Sequence, residues 1–182
     1  MTIKEARNHI EALDVWVCSF GGCGTNLLSD YLTSRNLVCQ TQEWHSDLCH
    51  YYTYIPTNKP TIYLYSNPIN ALKSQKRRNI IATNISKLSN GIITTISDEA
   101  LIYSMCCQFY NWISFSNKSN NLLFVHYSKL YDNLSKIGSF IGIDMREFPA
   151  KTNSKSTKIE IIHENLLNDK YSNFIYDASL EY

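Results

Sequence analysis

The sequence predicts a three-layer α/β fold, with a mainly parallel sheet and helices on both of its faces. Three observations support this prediction. Short apolar runs alternate with segments of helical periodicity along most of the 182 residues. The run over residues 15–20 is almost continuously apolar, as buried parallel strands are. A glycine-rich turn follows that run at once and leads into a helical segment.

The elements are predicted in order along the chain from the spacing of apolar residues. Helices are expected over residues 3–13, 25–34, 69–79, 97–116 and 128–141, the last ending at Gly142. Strands are expected over residues 15–20, 37–41, 61–65 and 122–126. Residues 42–60 are irregular, residues 80–97 are ambiguous, and residues 150–182 are polar with a weak helical signal. In sheets of this kind, ligands bind beyond the carboxyl ends of the strands, near a reversal of strand order.

Length and composition fit one domain over residues 1–182, with an N-terminal helix within residues 1–13 and a C-terminal extension over residues 150–182. A total of 17 Lys and Arg residues against 16 Asp and Glu residues gives a net charge of +1, which disfavours a nucleic-acid partner. No apolar stretch reaches the roughly 20 residues of a membrane-spanning helix. Residues 1–14 lack the apolar run of a signal peptide. We therefore expect no membrane association and a cytoplasmic location. Abundant Ile, Asn and Tyr are typical of AT-rich genomes, including viral ones, in which case the location is the host cytoplasm.

The sharpest feature is the glycine-rich segment over residues 19–26, which reads SFGGCGTN. Three glycines allow a tight turn that points successive N–H groups inward, and a helix N-terminus adds partial positive charge. The segment has no Walker lysine and does not match G-x-G-x-x-G. It predicts a phosphate or sulfate cradle, or else a tight turn without a ligand. The candidate binding residues are Gly21, Gly22, Cys23, Gly24, Thr25 and Asn26. A thiol at a helix start also predicts a lowered pKa for Cys23.

Residues 19–26 resemble the first motif of the sulfotransferases that use 3′-phosphoadenosine 5′-phosphosulfate (PAPS). That motif is a strand followed by a loop of the form S/T-[FY]-P-[KR]-S-G-T-T, which holds the 5′-phosphosulfate. Phe20, Gly24 and Thr25 match it. The resemblance implies a P-loop-like, sulfotransferase-like version of the α/β fold.

Two further segments are similar to the same family and follow in the same order. The family's second motif is R-[ND]-P-x-[DE]-x-x-x-S after a strand, and Asn67, Pro68 and Ser74 fall at its spacing. Residues 122–130 and 140–143 are similar to the family's LFLRYEDL strand and FLGI helix end. The resemblance implies that Asn67 and Ser74 belong to the site of the donor's 3′-phosphate.

The sequence departs from the family at two charged positions. The family's Lys or Arg in the first loop is Gly22 here, and its Arg before the second motif is Ser66. Each loss removes a cation from a site where negative charge develops in the transition state. The basic end of the third predicted helix is a candidate replacement, or else a solvated helix end that complements the dipole. Its residues are Lys73, Lys76, Arg77 and Arg78, of which Arg77 and Arg78 are the predicted 3′-phosphate ligands.

A general base is expected between the first two motifs, where members of the family often carry a His or Glu. The candidates in order of preference are His45, His50 and Glu43, because neutral imidazole suits proton abstraction near pH 7. Each of them is also compatible with an ordinary exposed loop residue. A competing interpretation joins His45, Cys49 and His50 as metal ligands, but no fourth ligand is apparent, and we expect no metal.

Three functions remain open from the sequence. The weakest is a divergent P-loop nucleotide kinase, against which the missing Walker lysine argues. The other two are related to the sulfotransferases. The first is an enzyme that transfers a sulfuryl group from PAPS to a hydroxyl of a glycan or small molecule. The second is a catalytically inactive sulfotransferase-like module that binds a nucleotide or a protein. Tyr51, Tyr52 and Tyr54 are candidates for the wall of an acceptor pocket, or else they cover the sheet. The sequence does not determine the acceptor or the oligomeric state.

Overall fold

A computed structural model describes residues 1–41, 43–151, 159, 161, 167 and 171. Three parallel strands form its sheet: β1 (Trp16–Ser19), β2 (Thr61–Tyr65) and β3 (Leu122–His126). They lie in the order β1-β2-β3, so this sheet has no reversal of strand order. The register aligns Trp16 with Thr61 and Thr61 with Leu122. Together with the helices, this arrangement confirms the α/β class.

Six α-helices surround or extend from the sheet in the described part of the chain. Their bounds are α1 (Ile3–Glu11), α2 (Thr25–Ser34), α3 (Pro68–Arg77), α4 (Ile81–Leu88), α5 (Asp98–Ile113) and α6 (Leu134–Ile141). Short 3₁₀ turns cover Ser46–His50, Ser116–Lys118, Tyr127–Lys129 and Tyr131–Asn133. The first of these turns packs against β1 and α4 and contributes to the site described below.

Local sequence explains where three of the helices begin. Thr2 and Glu5 form a reciprocal capping box at the start of α1. The Asn67 side chain accepts hydrogen bonds from the backbone of Ile69 and Asn70, and Pro68 occupies the first turn of α3. Ser97 caps α5 in the same way. Each cap satisfies N–H groups that have no partner inside the helix.

The predicted strand over residues 37–41 is wrong. These residues run beside the free edge of β1 without strand geometry. The backbone N–H of Asp14 donates to the Val38 carbonyl at 2.8 Å. The buried Gln40 side chain makes the next contacts: its Oε1 accepts from the Val17 N–H at 3.2 Å, and its Nε2 donates to the Val17 carbonyl. A side-chain amide thus occupies the place that a neighbouring backbone would take.

Two other predictions need correction. The helix predicted over 97–116 ends at Ile113, and the helix predicted over 128–141 is divided into two 3₁₀ turns and the shorter α6. As expected, α6 ends at Gly142, which has a left-handed backbone conformation. Residues 80–97, whose structure was ambiguous from the sequence, contain α4. The extension over 150–182 lies largely outside the described residues; within it, Ile161, Leu167 and Tyr171 are buried.

The core lies on the sheet and is rich in aromatic residues. Trp16 and Trp112 are fully buried with ring centroids 4.8 Å apart, and Tyr54 packs against both. Tyr54 is therefore a core residue rather than part of a pocket wall. The two indole N–H groups donate to backbone carbonyls of Leu48 and Tyr51, which fixes the segment after α2 against the sheet.

Candidate functional site

The glycine-rich loop leaves β1 and enters α2 through three left-handed glycines. Gly21, Gly22 and Gly24 have φ angles of 92°, 77° and 80°. A Cβ on Gly22 would lie 2.8 Å from the carbonyl oxygen of Ala71, and one on Gly24 would lie 2.5 Å from the Tyr127 ring. Both the backbone angles and the close packing therefore require glycine at these positions.

Most backbone N–H groups of this loop have no acceptor among the described residues. The Gly21 N–H donates to the Ser19 hydroxyl at 2.9 Å. In the described part of the chain, no acceptor takes the backbone N–H groups of residues 22–26. Gly24 is the N-cap of α2 and has no side chain to cap it. A run of unpaired amides at a helix N-terminus is suited to an anion.

Buried polar side chains hold the loop from behind. Thr25 is the first residue of α2, and its hydroxyl lies 2.5 Å from that of Ser19. Gln75 on α3 is fully buried and donates to the Phe20 carbonyl at 3.1 Å. Asn84 on α4 donates to Gln75 at 2.8 Å. Two helices are thus tied to the loop backbone, which fixes the direction of its N–H groups.

Cys23 faces the interior, and the prediction of a lowered pKa is wrong. Its sulfur lies 3.3 Å from the Ser66 hydroxyl and 3.3 Å from the Gly21 carbonyl. Burial raises the pKa of the Cys23 thiol to about 12, so the side chain is neutral near pH 7. It does not line the cavity in front of the loop.

A cavity of about 520 Å³ opens in front of the loop. It brings together predicted residues from three separate segments of the chain: Gly22, Gly24, Thr25, Asn26, His50, Ser74 and Arg78. Sequence analysis missed several other lining residues, among them Asn84 and Lys87 of α4 and Tyr127. The signal of Asn84 and Lys87 was weak, because α4 falls in the segment whose structure was ambiguous from the sequence.

Among the described residues, two cationic side chains line this cavity: Arg78, which was predicted, and Lys87, which was not. Arg78 lies on it, with its Nε donating to the Ser74 carbonyl at 3.3 Å. Lys87 lines it from α4 and pairs with Asp47 at 3.2 Å. Lys76 instead pairs with Asp98 at 2.6 Å, and the exposed Arg77 is not among the lining residues.

The two residues predicted around the 3′-phosphate are placed differently. Ser74 lines the cavity, whereas the Asn67 side-chain oxygen is used to cap α3, 2.8 Å from the Ile69 N–H. Ser66, which stands where the family has Arg, is buried against Cys23. Among the described residues from Ser66 to Arg78, Arg78 is therefore the only one that brings a positive side chain to the cavity.

Of the three candidate bases, only His50 lines the cavity. Its Nδ1 lies 2.9 Å from the Ser19 carbonyl oxygen. Burial first, and then the cations of Lys87 and Arg78, lower the pKa of His50 to about 4, although the Ser19 hydrogen bond acts in the opposite direction. The imidazole is therefore neutral near pH 7.

The other two candidates lie elsewhere. His45 has a left-handed backbone, with a φ of 54°, and its ring packs on His9 and Trp44 at centroid distances of 3.9 and 4.1 Å. Burial lowers the pKa of His45, and the neighbouring His9 lowers it further. Glu43 is exposed, and neither residue lines the cavity.

Two kinds of feature are absent from the described residues, a metal-binding cluster and a membrane-spanning helix. No group of three or more His, Cys, Asp or Glu side chains in residues 1–41, 43–151 and the four isolated positions is arranged to hold a metal ion. No helix in the described part of the chain is long and apolar enough to cross a membrane.

Comparisons with protein-family models, with curated protein sequences and with solved structures gave no match.

Proposed function

We propose that this chain is a cytoplasmic sulfotransferase of P-loop-like, three-layer fold that moves a sulfuryl group from PAPS to an acceptor hydroxyl. The observation that carries the proposal is the run of backbone N–H groups at residues 22–26 that have no acceptor in the described part of the chain. Four of these residues, Gly22, Gly24, Thr25 and Asn26, line a cavity together with Arg78 and Lys87. The donor carries anionic groups at two separate places. A cradle of amides and a separate basic side chain suit such a ligand.

Each group has a role in this proposal. The amides of residues 22–26 bind the 5′-phosphosulfate, while Arg78 and the hydroxyl of Ser74 bind the 3′-phosphate. Lys87 supplies the positive charge that the family has in its first loop, since Gly22 cannot. The partners are the nucleotide donor and a hydroxyl-bearing acceptor.

His50 is the base in this proposal. Its Nδ1 faces a carbonyl oxygen and must carry the hydrogen, so Nε2 holds the lone pair. The acceptor oxygen forms a bond to sulfur, the bond from sulfur to the phosphate oxygen breaks, and Nε2 takes the acceptor proton. A bound polyanion neutralises the field of Lys87 and Arg78, which raises the pKa of His50 toward the range useful for a base.

One observation favours a second function, nucleotide binding without transfer. A Cβ at Gly22 would lie 2.9 Å from the Cα of Ala71 as well as 2.8 Å from its carbonyl oxygen. The loop is thus packed too closely on α3 to accept the family's Lys at this position. If Lys87 does not replace that cation, the cavity holds the nucleotide but lacks a charge that lowers the barrier to transfer.

The binding step is tested by isothermal titration with 3′-phosphoadenosine 5′-phosphate, the desulfated product, with ATP as the comparison. We expect micromolar affinity for the product and at least about tenfold weaker binding of ATP. Arg78→Gln should weaken product binding by about tenfold or more, as the loss of a charge-assisted contact does. The matched control is Arg77→Gln, the adjacent arginine that does not line the cavity. Equal losses in both variants, or no binding, contradict the nucleotide site.

The transfer step needs a separate measurement. Donor labelled with ³⁵S is incubated with the protein and a panel of hydroxyl-bearing acceptors, and labelled product is counted. Product that depends on His50 and Lys87, with binding retained in His50→Gln, supports the sulfotransferase. Tight binding of the desulfated product without any transfer supports the second function.

A further inference from the structure

A second cavity, of about 420 Å³, adjoins the first one. Thr83 and Lys87, one helical turn apart on α4, line both cavities and form a shared wall. The 3₁₀ turn Ser46–His50 divides them on the other side, because His50 lines the first cavity and Asp47 lines the second. Ligands in the two cavities would thus meet at Lys87.

An unpaired polar atom in the wall points to a ligand. Tyr51 lines the second cavity and is 4% exposed, and its buried hydroxyl has no hydrogen-bond partner among the residues that the structure describes. Such a group costs free energy unless a ligand or water pairs with it. Burial first, and then the neighbouring Tyr52, raise the pKa of Tyr51 to about 12, so the hydroxyl keeps its proton and can both donate and accept.

The remaining wall is rich in hydrogen-bonding groups of mixed type. Besides Tyr52, a carboxylate, an ammonium, a hydroxyl and an amide line the cavity, contributed by Asp47, Lys87, Ser86 and Asn90. Asp47 and Lys87 already pair with each other at 3.2 Å, but each keeps capacity for a further hydrogen bond. A simple phenol offers one hydroxyl and can pair with only one or two of the four groups. A neutral ring with several adjacent hydroxyls can pair with them and still place a face against Tyr52. The volume lies within the range of about 300–1,000 Å³ usual for small-molecule sites.

We infer that the second cavity binds a neutral polyhydroxylated ring, that is, a sugar unit, next to the anion-binding cavity. Asp47 and Asn90 pair with adjacent hydroxyls, and the Tyr51 hydroxyl pairs with a third polar group of the ring. Lys87 then lies between the sugar and the anion. The further step, that this sugar is the acceptor of the sulfuryl group, rests on the proposed function; the sugar site itself does not.

The test is saturation-transfer NMR on the full chain with glucose, galactose and N-acetylglucosamine as probes and p-nitrophenol as the comparison, all without nucleotide. We expect transfer to at least one sugar at millimolar concentration. Asn90→Gly should abolish it, because Asn90 has a φ of 52° that glycine adopts without strain, so only the amide is lost. The matched control is Asn36→Gly, another exposed left-handed asparagine, with a φ of 65°, outside this cavity.

Tyr51→Phe separates a binding role from a structural one. Because the hydroxyl has no partner, its removal should leave the melting temperature equal or higher, yet weaken sugar binding by about threefold to tenfold. No transfer to any sugar, transfer that the Asn90 and Tyr51 variants do not change, or binding of p-nitrophenol alone each overturns the inference. Sugar binding without nucleotide binding would instead contradict the proposed function and leave the sugar site standing.

Discussion

The Nδ1 of His50 lies 2.9 Å from the carbonyl oxygen of Ser19, the last residue of β1. A carbonyl can only accept, so this contact fixes the tautomer of the neutral ring and leaves its lone pair on Nε2. Gln108 donates to the same carbonyl at 3.3 Å, so Ser19 links the 3₁₀ turn and α5 to the end of β1. The residue that begins the glycine loop therefore also orients the histidine that lines the cavity in front of it.

The lowered pKa of His50 predicts how the stability of the fold changes with pH. Its pKa is about 4 in the folded protein and near 6.5 in the unfolded chain. Between these values the unfolded chain binds a proton that the folded protein does not, so stability rises with pH across this window and falls on acidification. Between about pH 7 and pH 4.5 the free energy of unfolding of the wild type should fall as a result. We expect His50→Gln, whose amide can still donate to Ser19, to make this fall smaller by about 1–2 kcal/mol.

Urea unfolding of both proteins at several pH values measures this difference. The control is His126→Gln, since the pKa of His126 is also lowered, chiefly by burial, but its ring nitrogen pairs with Ser128 away from β1. Parallel stability curves for the wild type and His50→Gln would show that His50 titrates normally in the folded protein.

The close packing of Gly22 predicts that alanine costs more stability there than at another glycine with the same backbone conformation. Gly22 and Gly142 both have a φ of 77°, but a Cβ meets the Ala71 backbone only at Gly22 and nothing within 4 Å at Gly142. Gly142→Ala should cost about 1–2 kcal/mol for the left-handed conformation alone. Gly22→Ala should cost at least about 1 kcal/mol more, because the backbone of α3 must move. Thermal unfolding compares them, and equal losses would mean that α3 shifts freely.

The sequence predicted the parts of the site that are local. The run from β1 through the glycine loop to α2 is contiguous, so hydrophobicity and glycine content were enough to predict it. The support behind the loop was not predictable in this way. Gln75 contacts the carbonyl of Phe20, 55 residues away, and nothing in the helical pattern of α3 distinguishes it from an ordinary surface glutamine. Lys87 was missed because α4 has neither a side-chain cap nor a long apolar pattern.

His45 was preferred to His50 as the general base because of its distance along the chain from the second motif. Sequence spacing placed both residues in one irregular segment. The left-handed backbone at His45 turns its ring onto His9 of α1, while the 3₁₀ turn that follows carries His50 back to the end of β1. Only tertiary contacts separate two histidines that are five residues apart.

The last prediction concerns Gln40, which lies in the segment 37–41 that was wrongly predicted to be a strand. Gln40 is fully buried and pairs through its amide with both backbone groups of Val17 at the edge of β1. Gln40→Ala should cost about 2–4 kcal/mol, because it leaves two buried backbone groups without partners. Gln40→Glu keeps the shape but presents an acceptor to the Val17 carbonyl unless the new carboxyl is protonated.

Protonation therefore stabilises the folded form of the Gln40→Glu variant and raises the folded pKa of its new carboxyl above the unfolded value of about 4.3. A raised pKa contributes stability below the unfolded pKa that is lost as pH rises through the folded pKa. The stability gap between this variant and the wild type should narrow from about pH 7 to about pH 5, measured by urea unfolding. The control for net charge is Glu43→Gln at an exposed position. It removes one negative charge, whereas Gln40→Glu adds one. A gap that widens on acidification would show that the Gln40 amide nitrogen does not donate to Val17.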